Sequence, residues 1–137
     1  MFRLCALVLS VVTVLCFASF GKLLKAEDVN SFTTEAAAKM IAENKSSGDF
    51  VLLDVRTPAE FKEGHLENAT QLDFHAGDFA TQLSKLDKKK TFLVYCRSGN
   101  RSGKAVNMMK TSGFAKVYDM LGGITKWKSE NRPVISK

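Results

Sequence analysis

Thr91-Phe92-Leu93-Val94-Tyr95-Cys96-Arg97-Ser98-Gly99-Asn100-Arg101-Ser102 is the stretch on which the reading of this chain turns. Its first five residues form a β-branched and aromatic run with the composition of a buried strand. The next seven are small, polar and basic, and Gly103 to Lys110 then has helical composition. A cysteine between a strand end and a helix start suits the holding of an anion. Loop N–H groups can converge on one point there, and a helix N-terminus adds positive partial charge. The same setting favours thiolate over thiol and lowers the cysteine pKa from its usual ~8.5. Cys96 is therefore the candidate nucleophile.

Upstream, Phe50-Val51-Leu52-Leu53 is a second continuous apolar run, the signature of a strand buried on both faces. Asp54-Val55-Arg56 ends it. Thr57-Pro58-Ala59-Glu60 then combines a capping threonine, a proline at the first helical position and a capping-box glutamate. Gly64 stops that short helix. Before it, Thr33 or Thr34 caps a helix covering about Glu35 to Asn44, and after it Thr70 to Phe74 reads as a short strand. Asp78 caps a further helix carrying Phe79 and Leu83 inward. Downstream of the cysteine loop, Gly113 closes a helix ending near Thr111, Lys116 to Asp119 forms the last strand, and Gly122-Gly123 turns into a final helix over Ile124 to Ser129. Alternating strands and helices predict an α/β domain, a mainly parallel central sheet with helices on both faces. Ligands bind beyond the carboxyl ends of such strands, so the cysteine loop and Asp54-Val55-Arg56 should share one edge.

Residues 1–21 read as a signal peptide: Arg3 precedes an almost wholly apolar Leu4 to Phe20, with small residues near possible cleavage points. An uncleaved anchor is the alternative, because the run reaches the lower edge of a membrane span. Residues 22–32 are a connector, and 33–137 make one domain. Export, to a bacterial periplasm, is the expectation, or a membrane-anchored form facing away from the cytoplasm. Cys5 and Cys16 lie in the leader, so the mature chain keeps Cys96 as its one thiol, a mark of reactivity rather than of a disulfide framework.

The net charge of +6 comes from scattered lysines apart from Lys88-Lys89-Lys90. No basic stripe interleaved with aromatics appears, so nucleic acid is not expected as a partner. A basic surface suits a small anionic substrate. One mature cysteine and two histidines, His65 and His75, make no metal set, and no metal or cofactor is expected.

Four residues, Arg97 to Asn100, separate Cys96 from Arg101. Cysteine-dependent phosphatases carry a loop one residue longer, wide enough to encircle a tetrahedral phosphate. The shorter loop is matched to a sulfur atom carried on the cysteine. Here the sequence resembles the rhodanese family of sulfurtransferases, from about Thr33 to Pro133. Leu53-Asp54-Val55-Arg56 with Glu60-Phe61 is similar to the family's first motif, Gly64-His65-Leu66 through Ala69 to its second. Cys96 to Ser102 resembles its active loop, and Gly122-Gly123 with Trp127 its closing motif. Asn68 stands where the family has glycine, and asparagine tolerates positive φ.

The resemblance implies a rhodanese-like three-layer fold, a single rhodanese domain over 33–137, and a ping-pong sulfur transfer. Cys96 would take sulfane sulfur from thiosulfate or a similar anionic donor as a covalent persulfide and pass it to cyanide or a thiol acceptor. N–H groups from Arg97 through Ser98, Gly99, Asn100 and Arg101 to Ser102 would stabilise the anion, with Arg97 recognising the donor. Arg101 either contacts the donor or braces the loop. Asp54 and Arg56 support the site by pairing with the loop backbone or each other. His65 is expected to be structural. The expected form is a monomer. A non-enzymatic sulfur-carrier or partner-binding module of the same fold is the alternative; a phosphatase or arsenate reductase is disfavoured by loop length.

Overall fold

The computed structural model describes residues 30–136. The expected signal peptide and most of the connector lie outside them. Five parallel strands form one sheet in the order β1-β5-β4-β2-β3: Ser31–Phe32 (β1), Phe50–Asp54 (β2), Thr70–Gln71 (β3), Thr91–Tyr95 (β4) and Lys116–Met120 (β5). The helices are Thr34–Glu43 (α1), Pro58–Glu63 (α2), Phe79–Ser84 (α3), Asn100–Thr111 (α4) and Gly123–Ser129 (α5). Successive strand residues point to opposite faces, which sorts the core in two. Leu53, Phe92, Val94 and Val117 pack with Phe79 and Leu83 of α3 and with Ala105, Val106 and Met109 of α4. Leu52, Leu93, Tyr95 and Met120 pack against Ala37 of α1 and Ile124 and Trp127 of α5. Helices therefore cover both faces of the sheet. The same alternation, carried one residue past β4, sends the Cys96 side chain to the α4 face.

Local signals hold where they rest on short-range chemistry. Thr33 caps α1, its hydroxyl accepting from the Ala36 N–H. Thr57 and Glu60 form the full capping box on α2 with Pro58 in its first turn, a feature contributing ~1 kcal/mol. Asn68 has φ 64° and occupies the left-handed region that its place in the second motif called for.

Three expectations change. β3 ends at Gln71 rather than Phe74, because its partners are Leu53 and Asp54, where β2 itself ends. Asp78 does not cap α3: its backbone is not extended, and its carboxylate accepts from the Gln82 side chain instead. Ser31 and Phe32, assigned to the connector, add an edge strand beside Asp119 and Met120. Stacking of Phe32 on Tyr118 at 4.7 Å between ring centroids holds that edge.

Candidate active site

The carboxyl ends of β2 and β4 are in register, Asp54 opposite Tyr95, so the residues that follow each strand emerge side by side. Cys96 leaves β4 buried in the core edge, 1% exposed. Gly99, at φ 108°, turns the chain over the sulfur and stands at the N-cap of α4. Its N–H donates to Cys96 Sγ at 3.1 Å, and the Ser102 hydroxyl, from the first turn of α4, donates to the same sulfur at 3.4 Å.

The orientation of the loop comes from α5. Ile124 and Thr125 N–H groups donate to the carbonyls of Cys96 and Arg97 at 2.9 and 3.0 Å. With those carbonyls turned toward α5, the loop's N–H groups are left facing the sulfur. Gly123 makes the approach possible, since a Cβ there would collide with both carbonyls.

Burial alone opposes ionisation of Cys96. Hydrogen bonds from the Ser102 hydroxyl and from the backbone N–H groups of Ser102, Gly99 and Ser98 outweigh it, and the thiol lies below its ordinary pKa. The depressed thiol expected from strand–loop–helix context is present, with its donors now named.

The supporting residues divide clearly. Asp54 and Arg56 pair with each other: Arg56 Nε and a terminal nitrogen donate to the Asp54 carboxylate at 2.6–3.0 Å, both side chains buried. Arg56 also donates to the Gly64 carbonyl at 2.8 Å and so ties β2 to the end of α2. Arg101 is engaged within the fold, both terminal nitrogens donating to the two oxygens of Glu60 at 2.7 and 2.8 Å. Those bonds, opposed by burial, hold the Glu60 carboxyl at about 2. Arg97, Ser98 and Asn100 face solvent, and among the described residues the Arg97 guanidinium has no partner. His65 is buried, stacked on Phe61 with Nδ1 donating to the Phe61 carbonyl, a structural placement. His75 is exposed on a turn.

Sequence reasoning missed three contributors. Glu60 was legible as a capping residue and as part of the first motif, but not as the partner of Arg101. Tyr95 read as core, yet its hydroxyl accepts from the Leu66 N–H at 3.1 Å and its ring lies 5.7 Å from the Arg56 guanidinium. Gly123 read as half of a turn; the second glycine of Gly122-Gly123 was the signal.

The sequence profile of the rhodanese-like domain matches residues 33–130. The chain belongs to the rhodanese family. A sulfurtransferase of Allochromatium vinosum is 32% identical over 108 residues, which cover 79% of this chain and 96% of that protein. The thiosulfate sulfurtransferase GlpE of Coxiella burnetii is 34% identical over 83 residues, 61% of this chain and 76% of that one. A tRNA uridine(34) hydroxylase of an Enterobacter species is 35% identical over 118 residues, but this rhodanese chain spans only 30% of its length. Among solved structures, a rhodanese-related protein of Thermoplasma volcanium superposes with a TM-score of 0.66 at 28% identity, covering 79% of this chain and 99% of that one. The rhodanese fold is thus shared along the whole described domain, and the sulfurtransferase relatives support sulfur transfer as the general activity.

Proposed function

We propose that this rhodanese is an exported sulfurtransferase working through a persulfide on Cys96. The Cys96 thiolate attacks the outer sulfur of thiosulfate or a similar anionic donor; a sulfur–sulfur bond forms as the donor's own breaks, and sulfite leaves with the electron pair. Cyanide or an acceptor thiolate then attacks the terminal sulfur, and the Cys96 thiolate departs unchanged. The observation that carries this reading is the convergence of the Gly99 N–H and the Ser102 hydroxyl on Cys96 Sγ. Such fixed donors stabilise the thiolate before attack and the persulfide anion after it.

Arg97 is the donor-recognition residue in this reading, since it is the loop cation left open to solvent. Ser98 and Asn100 contribute backbone, Gly99 and Ser102 the donors to sulfur, and Arg101, Asp54 and Arg56 the frame. No metal or organic cofactor takes part. Partners are the small anionic donor and the thiophilic acceptor, with the protein acting as a monomer outside the cytoplasm and touching membrane only through a retained leader.

The test is thiocyanate formation from thiosulfate and cyanide, with intact-mass spectrometry in parallel. Wild type should gain one sulfur from thiosulfate and lose it to cyanide, and Cys96→Ala should do neither. Absence of both signals with every sulfane donor tried overturns the proposal in favour of a non-enzymatic module.

A further inference from the structure

Helix α4 begins at the reactive loop without a side-chain cap, because its N-cap residue, Gly99, has no side chain to offer. A helix start usually takes a hydroxyl or carboxylate from its own N-cap to satisfy free N–H groups. Here the first turn is held from outside, by Glu60 of α2 gripping Arg101, the second residue of α4. The grip is rigid at its far end as well. Glu60 Oε2 also accepts from the Thr57 N–H and hydroxyl, both at 3.1 Å, and the Glu60 N–H donates to Thr57. Thr57 directly follows Arg56, which is locked onto Asp54 and the Gly64 carbonyl. The anchor therefore has contacts of its own, independent of Arg101.

We infer that Glu60 is a positioning residue for Cys96, acting through Arg101 to keep the Gly99 and Ser102 donors aimed at the sulfur. Ser102 is the chain neighbour of Arg101 and Gly99 lies two residues before it, so a shift of the first turn of α4 moves both donors. The inference rests on Cys96 being the reacting group of the proposed sulfur transfer, but its primary readout does not require that reaction.

The charged groups around the sulfur make the sign of the effect decisive. Arg101 on α4 is the nearby cation and Glu60 on α2 its counter-charge; Asp54 and Arg56 at the end of β2 neutralise each other, Asp119 of β5 is buried beside Gly103 of α4, and Arg97 on the loop is solvated. Asp119 is unchanged in every variant compared below. If Glu60 acted on Cys96 only through its charge, Glu60→Gln would expose the full positive field of Arg101 and shift the thiolate midpoint to lower pH. If it acts by position, the same change loosens the donors and shifts the midpoint to higher pH.

The experiment is the pH dependence of Cys96 alkylation by iodoacetamide, followed by intact mass, with melting temperature and steady-state sulfur transfer on the same samples. Glu60→Gln should raise the alkylation midpoint. It should also lower kcat about tenfold, the scale on which loss of an orienting partner acts, while KM for thiosulfate changes less. Glu60→Asp keeps the charge but retracts the carboxylate from Arg101. It should raise the midpoint too, and it serves as the test if Glu60→Gln does not fold. The Glu60→Gln, Arg101→Gln double variant should be no worse than Arg101→Gln alone, as members of one unit behave. A midpoint that falls, or one that stays in place while only the melting temperature drops, overturns the inference. Wild type that alkylates normally but transfers no sulfur refutes the function and leaves the positioning role standing.

Discussion

Gly123 lies directly beneath the carbonyls of Cys96 and Arg97, at φ 56°, so close that a Cβ on it would collide with backbone on both residues. The contact explains how a helix on one face of the sheet sets the chemistry of a cysteine whose side chain packs on the other. α5 holds the loop carbonyls toward itself through Ile124 and Thr125, and the N–H groups of Ser98, Gly99 and Ser102 are left directed at the sulfur.

Gly123→Ala should therefore disable the loop. The added methyl meets carbonyl groups that have no rotamer to give, and the positive φ adds strain. We expect ~2–3 kcal/mol of lost stability in urea denaturation and little remaining sulfur transfer. Gly99→Ala is the contrast. Its φ is 108°, but the nearest atom to a new Cβ, the Gly122 nitrogen, is 3.7 Å away. It should cost only ~1 kcal/mol, for backbone strain without collision.

Arg97→Ala tests donor recognition. The guanidinium is exposed and free of internal partners, so its removal should leave folding intact. KM for thiosulfate should rise about tenfold, equivalent to ~1.4 kcal/mol, with a smaller change in the step that transfers sulfur to cyanide. Added salt should weaken the wild-type preference for the anionic donor and leave the variant nearly unaffected. Equal KM values in the two proteins would remove Arg97 from the recognition role.

Glu60 makes a prediction about acid stability. Hydrogen bonds from Arg101 hold its carboxyl at about 2 in the folded protein, against 4.5 as its ordinary value. The folded value is the lower one, so the contribution to stability is complete above the unfolded value and disappears as pH falls through the folded one. Wild type should exceed Glu60→Gln by a margin that is constant at neutral pH and shrinks by ~2 kcal/mol between about pH 4.5 and pH 2. Glu130, held low by Arg132 and Thr34, titrates in the same window. The difference between the two proteins, measured by denaturation at each pH, isolates Glu60.

Arg56→Met should be the most destabilising of these changes. It leaves the Asp54 carboxylate buried with no exposure and without its counter-charge. It also strips the Gly64 carbonyl of a donor. A loss of ~3–5 kcal/mol follows from an uncompensated buried charge, read as a fall in the urea midpoint with an unchanged slope. Asp54→Asn, Arg56→Met together should recover part of that loss, because no buried charge remains.

What could be read before the structure was short-range. The capping box at Thr57 and Glu60 depends on residues three apart. The positive φ at Asn68 depends on one residue, and the strand–cysteine–helix order depends on a continuous dozen. Each survived because the interactions that produce it lie within a turn or two of chain. Two of the misreadings have the opposite character, while the third, Asp78, is local: its carboxylate is taken by the Gln82 side chain one turn on. Ser31 and Phe32 are too few to show periodicity, and only the parallel register with Asp119 and Met120 makes them a strand. Thr70 to Phe74 had strand composition, but its regular ladder stops at Gln71 opposite Asp54, and beyond it only the Leu72 and Phe74 N–H groups donate to the carbonyls of Asp54 and Val55.

The cysteine loop divides along the same line. Composition and spacing alone placed Cys96 in a small, polar, basic loop at the carboxyl edge of an α/β sheet, with four residues between it and Arg101. The role of Arg101 stayed open at that level, because an arginine beside a reactive cysteine is equally able to meet a substrate or a carboxylate. Its partner, Glu60, is 41 residues away in sequence. Only the folding of β2 against β4 brings the two together, and an ion pair of that span leaves no trace in local pattern. The candidate nucleophile is therefore legible in the chain, whereas the contacts that surround it belong to the fold.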